Sequence, residues 1–212
     1  MTVTTADEAV RCIDGFLPEG ECQEVVSELR FSLWRPSKVS HRSLDGLVSS
    51  VRTRTRRSET AMQQWFSPQV NRVVENVEAR VTVLLGVHAD HLEWWQATRY
   101  GPSDSYGLHI DAGTHAGDPA GERTHTILLY LEAPASGGST WFPRLGLEFS
   151  PIPGRLLVWQ SLTADGSVDP KALHAAMPVG QGRKTILTTW VREHRYRSAG
   201  TQPPQQGGKN AE

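Results

Sequence analysis

Apolar residues recur at two different spacings along the chain, and the change of period divides it. Over residues 19–30, Cys22, Val25, Val26 and Leu29 fall on one stripe at helical spacing, with charged residues elsewhere. A second helix is marked more fully. Ser67 stands at the N-cap position, Pro68 at the first helical position and Gly86 just past the end. Between them Val70, Val73, Val74, Val77, Val81 and Leu84 form an apolar face that should lie against a sheet. After residue 92 the period becomes two. Strands are expected at 92–100, 106–110, 123–132, 139–142, 145–150, 155–159, 172–178 and 184–192, with turns at Gly137-Gly138, 151–154 and 180–182 between them. Many short strands without intervening helices predict a sandwich or barrel, backed by the two earlier helices.

The remaining stretches are less regular. Residues 1–8 are small and polar and are expected to fray. Residues 12–17 read as a short strand before a turn at Pro18. Residues 31–50 hold room for a strand or two that the pattern does not place, with Trp34-Arg35-Pro36 breaking any helix. From 198 to 212 Gly, Gln and Pro without periodicity predict a disordered tail. The expected organisation is one domain over 1–197, with a supporting and substrate-side region at 1–91 and a catalytic core at 92–197.

Composition narrows the function classes. A chain of 212 residues is long enough to bury a sizeable core. Its 22 Lys and Arg nearly balance 23 Asp and Glu, which gives no general argument for nucleic acid or an anionic membrane as partner. Two cysteines, Cys12 and Cys22, are too few for a disulfide scaffold and lack a metal-pair spacing. No basic start with a following apolar run marks a signal peptide, and no apolar stretch could cross a bilayer, so the expected location is the cytoplasm.

Candidate chemistry centres on His109-Ile110-Asp111. On a strand, residues two apart point the same way, so one nitrogen and one oxygen ligand would face a single metal. His174, on a later strand, is the candidate third ligand. Two histidines and a carboxylate with other positions open suit non-haem Fe(II) oxygenases, and the same three ligands could hold a catalytic zinc with its water. The triad alone leaves both chemistries open. Lys184 raises the odds of the first. It follows His174 by ten residues, and on its strand it shares a face with Ile186, Thr188 and Trp190. An ammonium inside a barrel is costly unless it meets an anion, which a metal-chelating dicarboxylate would supply. The local run Arg52, Arg54, Arg56 and Arg57 reads as a solvated edge, with a phosphate site or one substrate-facing arginine as the other readings.

Five ordered blocks resemble the prolyl 4-hydroxylase branch of the Fe(II)- and 2-oxoglutarate-dependent dioxygenases. They are Tyr100, Gly101, Tyr106, His109 and Asp111; Arg123, Thr126, Tyr130 and Leu131; Gly137, Gly138, Thr140, Phe142 and Pro143; Pro151, Gly154, Leu156, Leu157 and Trp159; and His174, Lys184 and Trp190. The family's Arg-Thr-Ser segment is met loosely by Arg57-Ser58. The resemblance implies a mainly β chain, a double-stranded β-helix (jelly roll) with N-terminal helices packed on the major sheet. It implies iron held by His109, Asp111 and His174, and 2-oxoglutarate held by Lys184, Tyr100 and Thr126, with ascorbate as a candidate reductant. Tyr106, Trp190, Arg57 and, in the Gly-rich loop 112–121, His115 are the expected substrate-side residues. The implied reaction hydroxylates a proline or other amino-acid residue, free or in a peptide, releasing succinate and carbon dioxide. Asp111 speaks for hydroxylation, because a small residue there would open a position for halide. An oxygen-independent metal hydrolase or lyase, or a non-catalytic jelly-roll binding module, are the competing classes. The oligomeric state is not legible.

Overall fold

The computed structural model describes residues 2–7, 9–42 and 48–198. In chain order its strands are β1 (Thr2–Asp7), β2 (Val10–Asp14), β3 (Arg35–Pro36), β4 (Val39–Arg42), β5 (Val48–Val51), β6 (Arg56–Arg57), β7 (Glu59–Met62) and β8 (Gln96–Tyr100). There follow β9 (Ser105–His109), β10 (Arg123–Glu132), β11 (Ser136–Gly137), β12 (Thr140–Phe142), β13 (Leu147–Phe149), β14 (Leu156–Gln160), β15 (His174–Ala176), β16 (Val179–Gln181) and β17 (Lys184–Arg192). Two helices, α1 (Glu19–Leu29) and α2 (Pro68–Leu85), precede β8. The major sheet runs β1-β2-β14-β10-β17-β8-β7-β3 and the minor sheet β13-β12-β15-β9-β6, with antiparallel neighbours throughout. Two antiparallel sheets packed face to face with helices behind the larger one are the expected jelly roll.

Period-two alternation in the long strands feeds two separate cores. On β10, Ile127, Leu129 and Leu131 join the helix-side cluster, while Leu128 and Tyr130 turn between the sheets. On β14, Leu156 and Val158 go to the helices and Leu157 and Trp159 inward. Helix α2 supplies Val70, Val74, Val77 and Val81, all fully buried, with Val73 and Leu84 half-buried beside them. Its start is capped by the Ser67 side chain, which accepts from the Val70 N–H, and its end by Gly86 in the left-handed region. Helix α1 buries Cys22, Val25 and Leu29 against β10 and α2.

Three expectations are corrected at the N-terminal side. Residues 2–7 do not fray but pair as the edge strand β1 with β2, from Thr2↔Asp14 to Asp7↔Val10. The β-branched run Thr2-Val3-Thr4-Thr5 suits a strand, which polarity alone conceals. The strand expected over 12–17 ends at Asp14, because Gly15 takes φ +64° and turns the chain. Phe16 and Leu17 then drop into the core, where Gly154 (φ +80°) passes so close that a Cβ would lie 2.0 Å from the Leu17 carbonyl oxygen. The strand expected from residue 92 begins only at Gln96. Leu92 makes an isolated bridge to Val191, and the irregular stretch between carries Glu93 into the interior. The tail expected at 198–212 lies, apart from Ser198, outside the described residues. No helix among the described residues is long and apolar enough to cross a membrane.

Candidate active site

Strand pairing brings the three sequence-distant ligands together. His174 on β15 lies directly across from His109 at the end of β9, and Asp111 follows two residues later. The ligand atoms of His109, Asp111 and His174 all lie within 4.8 Å of one another. His109 Nε2 is 3.6 Å from one Asp111 oxygen and His174 Nε2 3.7 Å from the other, separations that metal bonds of about 2.0–2.2 Å can span. Both rings are oriented from behind: His109 Nδ1 donates to the Gly107 carbonyl at 2.8 Å and His174 Nδ1 to that of Ala172 at 2.9 Å. Each Nε2 lone pair is thereby turned inward, the arrangement that ligating histidines require. Burial, with the His174 imidazole beside it, pushes His109 down to about 3, so this ring is a neutral donor. Burial alone would raise the Asp111 carboxyl; the His174 and His109 imidazoles outweigh it and hold the group ionised. Two imidazole nitrogens and one carboxylate on one side, with a cavity on the other, fit Fe(II).

The cavity is about 900 Å³ and extends from the triad along the inner face of the major sheet. At one end Lys184 is 1 % exposed. It pairs across the sheet with Tyr100, its Nζ lies 4.3 Å from the Tyr100 ring centre, and it donates to the Gly138 carbonyl at 2.8 Å. That carbonyl is presented by two glycines with positive φ, Gly137 and Gly138; a Cβ on Gly137 would lie 2.3 Å from the Pro178 oxygen. No carboxylate among the described residues pairs with Lys184, and burial pushes its ammonium down to about 7. A buried cation aimed into a hole lined by Tyr100, Leu128, Thr140 and Ile186 asks for an anion on a short apolar stem. The distal carboxylate of 2-oxoglutarate, with its two methylenes, fits that description.

Thr126, expected at the same co-substrate end, does something else. Its hydroxyl donates to Asp111 Oδ2 at 2.7 Å and so orients the carboxylate ligand. Thr140, a residue of the third block given no site role from the sequence, also lines the cavity, its hydroxyl bonded to that of Tyr130 at 2.6 Å.

On the substrate side Tyr106 stacks on the His109 ring, centroids 3.6 Å apart. Burial pushes its phenol up to about 12, which keeps it a neutral donor. Trp190 also lines the cavity, and its Nε1 is buried without a hydrogen-bond partner among the described residues. The Arg123 guanidinium stacks on Trp190, 3.6 Å from the ring centre, and is clamped by both Glu93 oxygens at 2.6 and 2.7 Å. Arg192 holds the same Glu93 at 3.1 Å and also grips the Gly121 carbonyl and the Asp118 carboxylate, so the loop after Asp111 is tied to this cluster. Arg123, named in the second block, receives no site role from the sequence because counting by twos from Thr126 along β10 puts it on the face away from the cavity. A bulge between Arg123 and His125 shifts the register and turns Arg123 inward.

Arg57 and His115 are not brought to the cavity. Arg57 has a side chain 66 % exposed and pairs with Asp104 at 3.5 Å. Its neighbour Arg56 faces inward because it pairs across the minor sheet with Tyr106, and its guanidinium lies 4.7 Å from that ring centre. One position of strand parity separates the two arginines, and the sequence does not reveal which parity applies. His115 is buried rather than exposed, packed beside the Glu93, Arg123 and Arg192 charges, while Thr114 takes the place on the cavity wall.

The sequence profile of the 2OG-Fe(II) oxygenase superfamily matches residues 95–192, the span that carries all three ligands and Lys184. Prolyl 4-hydroxylase 1 of Arabidopsis thaliana is 28 % identical over 193 residues, covering 84 % of this chain and 66 % of that protein. A protein of Acanthamoeba polyphaga mimivirus named "Putative prolyl 4-hydroxylase" is 30 % identical over 187 residues, covering 83 % of this chain and 71 % of its own length. This chain thus spans about two thirds of each of these relatives. Among solved structures, the viral collagen prolyl hydroxylase of Paramecium bursaria Chlorella virus-1 in its 2OG complex superposes with a TM-score of 0.66 at 25 % identity, covering 87 % of this chain and 96 % of that one. The matched profile, the 30 % identical relative and the triad facing a buried lysine agree: the chain belongs to the 2-oxoglutarate- and Fe(II)-dependent oxygenase superfamily and is prolyl 4-hydroxylase-like.

Proposed function

We propose that this protein hydroxylates a prolyl residue within a peptide or protein segment, coupled to conversion of 2-oxoglutarate to succinate and carbon dioxide. The observation that carries the reading is the buried, carboxylate-free Lys184 in the same cavity as His109, Asp111 and His174. A metal hydrolase would gain nothing from a cation held there at such desolvation cost. The names of the relatives support proline as the residue type, and the open mouth of the cavity supports a segment of chain over a free amino acid. The volume of about 900 Å³, rim included, holds the co-substrate end beside Lys184 and opens outward past Leu33, Met62 and Trp65, where a chain can continue.

When bound, Fe(II), 2-oxoglutarate and dioxygen supply the oxidising chemistry: one oxygen atom leaves in succinate and the other replaces hydrogen with hydroxyl at the substrate carbon. The chain's own residues arrange this. His109 and His174 present Nε2, and Asp111 is held by Thr126, so these three side chains would hold the metal from one side and leave the cavity side free for co-substrate and dioxygen. Lys184, Tyr100 and Thr140 orient the co-substrate from its far end, through a charge-assisted bond worth about 1.5–3 kcal/mol. Trp190 offers an apolar wall for a pyrrolidine ring, and Arg123, immobilised by Glu93, offers its remaining N–H groups to a peptide carbonyl. Tyr106 covers the metal site on the His109 side and limits water entry.

The test is incubation with Fe(II), 2-oxoglutarate and proline-containing peptides, with and without oxygen. Succinate formed in step with a gain of one oxygen atom on proline, only aerobically and not with His109→Ala, is the expected result. Turnover of any substrate without oxygen rejects the reading.

A further inference from the structure

The mouth of the cavity carries cations that neither the metal nor the co-substrate uses. Arg35 on β3, Lys38 just after it, Arg52 just after β5, and Arg56 on β6 all line it. Arg35, Lys38 and Arg52 are exposed and Arg56 is half-buried. Among the described residues none of the four pairs with a carboxylate, whereas arginines elsewhere, such as Arg57, Arg99 and Arg155, do. Arg56 is held by neutral groups alone: it donates to the Lys38 carbonyl at 3.0 Å and to the Ser58 hydroxyl at 3.2 Å. Among the described residues the cavity lining has just two acidic residues, Glu93 and Asp111, and both are already engaged, by arginines and by the metal site. In a chain whose formal net charge is −1, this mouth is a local positive wall. Beside it lies an apolar rim of Leu33, Met62 and Trp65, 39, 38 and 44 % exposed.

From this juxtaposition we infer that the mouth is a charge-selecting subsite: the enzyme takes polypeptide segments with an acidic residue flanking the one that is hydroxylated. The carboxylate is bound by Lys38 and Arg52, with Arg56 fixing the inner edge of the wall. Guanidinium and carboxylate match in geometry and charge, and the attraction between such exposed groups is greatest at low salt. Neighbouring apolar side chains of the segment meet the Leu33–Met62–Trp65 rim. The inference rests on the peptide-hydroxylase reading for what happens to the segment; the recognition of charge does not depend on turnover.

The experiment measures binding and turnover separately. Two proline-containing peptides, identical except for Asp and Glu in one and Asn and Gln in the other, are titrated into the full chain loaded with Mn(II) and 2-oxoglutarate. The expected result is a preference for the acidic peptide of about twofold to tenfold at low salt, as one or two exposed ion pairs give. It should shrink at high salt and vanish in the Lys38→Gln/Arg52→Gln variant, whose altered side chains are exposed. Equal affinities, a preference that survives the double substitution, no binding of either peptide, or tighter binding of a single-stranded RNA of similar length would each overturn it. An acidic preference in binding, with no oxygen gained by either peptide under iron and air, upholds charge selection and instead contradicts the prolyl hydroxylase reading.

Discussion

Lys184 is buried with no carboxylate partner among the described residues, and two measurable consequences follow from that single side chain. Lys184→Ala should raise the half-saturating 2-oxoglutarate concentration by on the order of tenfold to a hundredfold, as loss of a charge-assisted bond implies. An unchanged value would move the assignment elsewhere, though not to Arg183, which is spent on a surface pair with Glu132. The second consequence is a pH dependence. The unfolded lysine titrates near 10.4 and the folded one, through burial, at about 7. Between those values the unfolded chain binds more protons, so the lysine's effect on stability becomes more favourable as pH rises through that window. Co-substrate binding has the opposite sign, because it needs the ammonium. Its dissociation constant, measured anaerobically with Mn(II), should rise with pH above about 7, by up to about tenfold per unit, and Lys184→Ala should flatten the slope. At the metal, Thr126→Val leaves all three ligands in place but frees the Asp111 carboxylate. Metal affinity or activity should fall by about 10–100-fold, read by metal titration and by turnover.

At the scale of elements, β10 carries both the scaffold and the site on its two faces. Leu129→Ala on the helix side should cost about 2–5 kcal/mol in denaturant unfolding while leaving the co-substrate affinity of the folded fraction unchanged. A loss of affinity comparable to that of Lys184→Ala would mean the two faces are not separable. This two-faced alternation is also what made so much legible beforehand. β10 and β17 have their expected bounds, and Lys184, Ile186, Thr188 and Trp190 do share the cavity face. The capping residues of α2 announced both its ends. Legibility failed where period two is interrupted or too short to establish. A bulge hid Arg123, a two-residue strand left Arg56 and Arg57 indistinguishable, and β1 was masked by its polar composition. Thr126 lines the cavity and donates to Asp111, a partner decided by a fraction of an ångström between elements and not by spacing along the chain.

For the molecule as a whole, the major sheet extends beyond the core expected from residue 92: β2, β7 and β3 from the N-terminal half continue it, and β6 joins the minor sheet. The N-terminal half is therefore part of the cavity wall and supplies Arg35, Lys38, Arg52, Arg56, Met62 and Trp65 to its mouth. The metal-ligand triad and Lys184 come from the C-terminal strands and the segment after β9, whereas the cavity mouth is lined by elements of both halves. The central claim is that this architecture uses dioxygen to place a hydroxyl on a prolyl residue, and isotopically labelled dioxygen tests it most directly. With Fe(II), 2-oxoglutarate and an acidic proline-containing peptide, mass spectrometry should find the label in the new hydroxyl group and in succinate. A hydroxyl carrying oxygen from water alone, or product formed without dioxygen, would contradict the account.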